Sequence, residues 1–187
     1  MTRLTILLLL STIIFYASCD QIVVGAFQKI FPYATAATVK TLTNNVNKQT
    51  TKPKAKTAVT NWVPKNWKAA NAKVDANNQL SKQAYAKKKA LTFVDMRYSL
   101  KKYINYLYNQ GISTKYLTKA EAENMRTLFW AADAKTNNNY TATCQTFMAE
   151  ASTKIVKTPT IMAKVQELTQ KFAAANPTDY QNLGWTL

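Results

Sequence analysis

The sequence predicts an all-α fold, an irregular bundle of five to seven helices arranged around one long central helix. Three observations carry that prediction. Only three glycines occur in 187 residues. No run alternates cleanly with a period of two, and apolar residues recur instead at helical spacing throughout. With 47% hydrophobic and 11% aromatic residues, the chain has the apolar material to offset its conformational entropy, which a disordered basic tail lacks.

The first element is an address. Arg3 precedes the apolar run Leu4 to Tyr16, and Ala17-Ser18-Cys19 places small side chains where a signal peptidase reads them. Residues 1–19 therefore read as a cleaved signal peptide, and residues 20–187 as a single α-helical domain, secreted and extracellular. The apolar run stops short of the roughly 20 residues that a spanning helix requires, so no transmembrane segment is expected in the mature chain. Tyr16 stands where a lipoprotein signal carries leucine, which makes Cys19 a poor lipid acceptor. Of the two cysteines, cleavage leaves Cys144 alone, so no intrachain disulfide is possible. A domain of this length can hold together on its core.

The helices follow in order. Ile22, Val23, Phe27, Ile30 and Phe31 make a short apolar face stopped by Pro32, and Ala36, Val39, Leu42 and Val46 make a second. Residues 47–56, with Pro53 among lysines and threonines, read as a linker inside the domain. Pro64 suits the first turn of a helix from about Lys65 to Ala76. The central helix runs from about Ser81 to Asn109, with one stripe through Leu91, Val94 and Tyr98 and another through Phe93, Leu100, Ile104 and Leu107. Asn109-Gln110-Gly111 reads as its stop.

Thr118-Lys119-Ala120-Glu121 is a capping box, in which hydroxyl and carboxylate satisfy orphan amides of a helix start; Ala122, Met125, Leu128, Phe129 and Ala132 form its buried stripe. After Asn137-Asn138-Asn139 a helix begins near Thr141, where Cys144 shares a face with Phe147, Met148, Ala151 and Ile155. Thr158-Pro159 opens the last helix, with Met162, Val165, Leu168 and Phe172 inward and Asn176-Pro177 as its end. The tail Tyr180, Leu183, Trp185 and Leu187 is apolar enough to dock.

Composition excludes most catalysis. The chain has no histidine, which removes Ser-His-Asp and Cys-His nucleophiles and every histidine zinc site. Glu121 and Glu123 point to opposite sides of a helix and cannot share a metal. The window from Asp133 fails as a calcium loop: Lys135 occupies a ligand position, no glycine stands at the sixth, and Cys144 replaces the closing glutamate. No phosphate loop, CxxC pair or nucleophile elbow occurs. The expectation is a protein that binds rather than catalyses, without cofactor or metal.

The charge is uneven. The chain carries 25 Lys+Arg against 9 Asp+Glu, a formal +16. Residues 29–119 hold 18 of those bases and only Asp75 and Asp95, while residues 120–187 hold six bases and six acids. Lys52, Lys54, Lys56, Lys87, Lys88, Lys89, Lys101 and Lys102 are the candidate contact residues for an anionic extracellular partner, whether sulfated glycan, anionic lipid head or nucleic acid. Against this, lysine makes a solvated surface by default, and the mature chain has only Arg97 and Arg126 for bidentate phosphate reading. The wide apolar faces offer an alternative: a carrier of a small hydrophobic ligand such as a fatty acid, retinoid or sterol, with methionines 96, 125, 148 and 162 as an adaptable lining. Asn139-Tyr140-Thr141 is a glycosylation acceptor.

Trp62-Val63 ahead of a lysine-rich helix, then Leu80-Ser81, and later Leu117-Thr118-Lys119-Ala120-Glu121 resemble the SXP-type secreted antigens of nematodes over residues 58–130. Pro53, Pro64, the lysine content and the long C-terminal extension depart from that pattern. The resemblance implies an extracellular helical protein with a non-enzymatic role at a host or body-fluid interface.

Overall fold

The computed structural model describes residues 20–70, 79–154 and 158–184. The expected signal peptide at 1–19, Ile155, Trp185 and Leu187 lie outside the described residues. Those described form eight α-helices and no strand: α1 Val24–Ile30, α2 Ala36–Asn47, α3 Lys52–Ala70, α4 Gln79–Ser113, α5 Lys119–Lys135, α6 Tyr140–Lys154, α7 Thr158–Ala175 and α8 Pro177–Asn182. The all-α bundle with a long central helix is what the periodicity predicts. The eighth helix exceeds the expected five to seven because Pro177 does two things. It cannot extend α7, and it occupies the first turn of α8, where its missing N–H costs nothing.

Two further expectations need correction. The linker at 47–56 shrinks to residues 48–51, since α3 already begins at Lys52. Pro53 is its second residue, a position whose N–H has no intrahelical partner to lose. For the same reason the helix does not start at Lys65, and Pro64 lies inside α3. Its ring removes a hydrogen bond to Thr60 and crowds the preceding turn. Burial of Val59, Trp62, Val63 and Trp67 along one face keeps the helix intact across it, and Asn66 Nδ2 donates to the Trp62 carbonyl at 2.9 Å in that turn.

The central helix also passes its expected stop, running through Gly111 to Ser113. A Cβ on Gly111 would meet Leu117 Cδ1 at 2.9 Å, so this glycine lets the returning chain approach rather than ending the helix. The Gly111 carbonyl accepts from the amides of Tyr116 and Leu117 at 3.0 and 2.9 Å, and Lys115 takes the left-handed conformation with φ of 56°. At α5 the capping box forms as read: Glu121 N donates to Thr118 Oγ1, and Thr118 N donates to Glu121 Oε2.

α4 is long enough, 35 residues or about 52 Å at 1.5 Å per residue, to carry two hydrophobic cores. The first gathers Phe27, Phe31, Val39, Leu42, Val59, Val63 and Val94 from α1 to α3 and the first half of α4. The second gathers Leu100, Tyr103, Ile104, Phe129, Trp130, Phe172, Tyr180 and Leu183. Tyr180 and Leu183 are buried, so the described part of the tail docks as expected. α1, α3, α5, α7 and α8 all pack on α4, while α6 pairs with α5.

Candidate functional site

The second core is not filled. A cavity of about 190 Å³ lies where α7 faces the α5–α6 pair across α4. α4 supplies Tyr103, Ile104, Leu107 and Tyr108, α5 supplies Met125, Arg126 and Phe129, and α6 supplies Tyr140, Cys144, Phe147 and Met148. α7 closes it with Ile161, Met162, Lys164, Val165 and Leu168. The reason is visible in the packing. α7 leans on α4 and α8, and α5 leans on α4 and α6, so the two groups do not close on each other, and three methionines stand among the aliphatic and aromatic side chains lining the gap. Three of the four methionines named as a flexible lining stand here; Met96 packs elsewhere in the second core.

The polar groups along this wall are sparse. Tyr103 Oη shares a hydrogen bond with Thr169 Oγ1 at 2.6 Å, and burial pushes its hydroxyl up to about 12. Burial also raises Tyr140 and Cys144, so both stay neutral near pH 7. A thiol held protonated on an apolar wall is a poor nucleophile. Arg126 stacks 4.3 Å from the Tyr108 ring centroid and donates to Glu123 Oε2 at 2.8 Å. Lys164 donates to Glu167 at 2.7 Å. Glu167, bonded by both Lys164 and Lys171, has its carboxyl drawn down to about 2. At one end Tyr116 Oη donates to the Thr160 carbonyl, tying the α4–α5 connection to the first turn of α7.

Beside the cavity sits a polar cluster that composition did not reveal. Arg97 Nη1 holds Asp133 Oδ1 and Oδ2 at 2.9 and 2.8 Å, with 4% and 0% of the two side chains exposed. Desolvation lowers Arg97, and Asp133 opposes that shift. Asn138 Nδ2 donates to Asp133 Oδ2 at 2.7 Å, its Oδ1 accepts from Val23 N at 2.8 Å, and Arg97 Nη2 reaches the Asp20 carbonyl at 3.2 Å. Asn137 and Asn138 both take left-handed backbone, which asparagine tolerates. Gly25 lets α1 sit against them, since a Cβ there would meet Asn137 Oδ1 at 2.2 Å. One signal was available in the sequence. Among 25 bases only three are arginine, and a buried charge that must reach a carboxylate and a backbone carbonyl from separate nitrogens is where arginine outperforms lysine.

The candidate lysines are not brought to one place. Lys56 pairs with Asp95 at 2.7 Å, Lys52 and Lys102 with Asp179 at 3.9 and 2.6 Å, and Lys101 with Asp20. Burial alone would raise the Asp179 carboxyl, but hydrogen bonds from Lys102 and Ser99 bring it below its usual value. Lys54, Lys88 and Lys89 are exposed and Lys87 half-buried, with Lys89 over the Tyr85 ring at 4.7 Å. Lys101 and Lys102 join Lys48 and Arg97 along a polar groove of about 530 Å³ between the chain at Asp20, the end of α2 and α4. Asn139 is exposed and caps α6, its Oδ1 accepting from Ala142 N at 3.1 Å. Among the described residues, no acid, cysteine or histidine cluster fits a metal, and no helix is long and apolar enough to cross a membrane.

Comparison of the chain with family models, curated proteins and solved structures returns no match.

Proposed function

We propose that this chain is a secreted, non-enzymatic binding protein that carries a small apolar ligand between α4, α5, α6 and α7. One observation carries the reading: a half-open apolar pocket of about 190 Å³ against the second core. An engineered cavity of about 150 Å³ lined by leucine, isoleucine and phenylalanine takes up benzene, so this one is large enough to hold a ligand. Its walls are partly exposed, so a ligand can enter without unfolding the helices around it. The SXP-type resemblance supports the same extracellular, non-catalytic role.

The test is to secrete the chain from cultured eukaryotic cells, sequence its N-terminus, and extract the natively purified protein with organic solvent for mass spectrometry. The expected result is a mature chain beginning at Asp20 with one apolar compound near one per chain, lost when Met148→Trp fills the cavity. An extract without a stoichiometric compound, together with no saturable uptake of octan-1-ol, contradicts the carrier reading.

A second reading is favoured by the run Lys87, Lys88 and Lys89, for which no carboxylate partner is found among the described residues. With Lys54 these are the candidate lysines left to meet an anionic surface. Neutralising Lys87 to Lys89 should lower retention on heparin and flatten its salt dependence more than neutralising the carboxylate-paired Lys135, Lys154 and Lys171, because the slope counts ion contacts made. Equal losses from both sets reduce the effect to net charge.

A further inference from the structure

Given the carrier reading, on which this assignment rests, we infer that the ligand is an aliphatic carboxylate of medium chain length. Its head meets Arg126 and Lys164, and its chain lies along Phe129, Phe147 and Leu168. Three observations converge on that class.

The first is the sign of the lining. Among the described residues of the cavity wall, the charged ones are Arg126 on α5 and Lys164 on α7, and no acid is among them. Their carboxylate partners Glu123 and Glu167 lie outside the lining, so the wall itself favours an anionic head over a neutral one and a neutral one over an ammonium.

The second is that both cations are placed and have donors to spare. They are partly exposed, 27% and 22% by side chain, so an ionised head keeps some water. Arg126 is held by stacking on Tyr108, whose hydroxyl donates to Glu123 Oε1 at 2.8 Å. It spends one hydrogen bond on Glu123 and Lys164 one on Glu167, out of five and three donor hydrogens. Both existing pairs are i,i+3 contacts at the helix surface, a kind that contributes little and yields easily to a better-placed acceptor.

The third is size. Scaling from benzene in about 150 Å³, about 190 Å³ encloses roughly eight carbons. A retinoid or sterol, with about 20 carbons or more, exceeds that more than twofold, whereas an eight-carbon chain fits and leaves its head free to reach the cations of the lining.

The experiment is isothermal titration calorimetry of the mature protein with sodium octanoate, octan-1-ol and octylammonium chloride at pH 7.5. It is repeated on Arg126→Gln, Lys164→Gln and the double variant, each checked for native helicity by circular dichroism. Octanoate should bind at least tenfold more tightly than octan-1-ol, and octylammonium more weakly than either. The double variant should bring octanoate and octan-1-ol to within about twofold. Saturable binding of octan-1-ol with no preference for octanoate overturns the carboxylate assignment and leaves the carrier reading standing. A preference for octanoate that survives in the double variant also overturns it, because the head is then held elsewhere. If none of the three binds, both the assignment and the carrier reading fall.

Discussion

Arg97 and Asp133 show how much one residue choice decides here. Asp133 is fully buried, and its carboxylate is satisfied by Arg97, Asn138 and Thr143; the same arginine and asparagine hold the chain at residues 20–23. A buried pair contributes little over an apolar substitute, but losing one member strands a charge. Asp133→Asn or Arg97→Met should therefore each destabilise the fold by about 3–5 kcal/mol, while the double variant loses less than the sum. Urea denaturation of the four proteins measures this. Additive losses would mean that the two side chains act independently. Arg97 lies at the seam between the two cores, so the pair also fixes where the first core and the α5–α6 turn meet on α4.

At the scale of elements, periodicity made nearly every helix readable, because apolar spacing follows from which face is buried. Val39, Leu42 and Val46 are buried as their spacing requires, and the capping box starts α5 where its residues stand. Proline and glycine misled in three places. Pro53 stands in a first turn, where proline costs nothing, while at Pro64 and Gly111 tertiary packing outweighs the local signal for a break. Trp62, Val63 and Trp67 hold α3 together across Pro64, and Leu117 returning onto Gly111 explains that glycine without a helix end. Pro64 itself is exposed, so its ring adds no core contact. Pro64→Ala should raise stability by about 1–3 kcal/mol, read as a higher midpoint in thermal unfolding. An unchanged or lower midpoint would show that the ring is needed where it lies.

The cavity belongs to the whole molecule and was the least legible feature. Each of its walls reads in sequence as an ordinary amphipathic stripe, and Met125, Phe129, Cys144, Phe147, Met162 and Val165 have the spacing of core residues. That they fail to meet depends on how α7 and the α5–α6 pair sit on α4, which is set by non-local packing that no spacing records. The lysine pattern shows the reverse problem. Composition made the cationic half conspicuous, yet Lys52, Lys56, Lys101 and Lys102 spend their charge on Asp179, Asp95 and Asp20, and those partners are up to 127 residues away in sequence.

The central claim is that a ligand enters this cavity, and the protein carries its own reporters for it. Met125, Met148 and Met162 line the wall, while Met96 packs in the same core outside it. Methyl-labelled methionine spectra recorded during titration of residues 20–187 with octan-1-ol test that uptake most directly. The three lining methyls should shift together and saturate at one ligand per chain while Met96 stays in place. Methyls that do not move, or a drift of all four that never saturates, would contradict it.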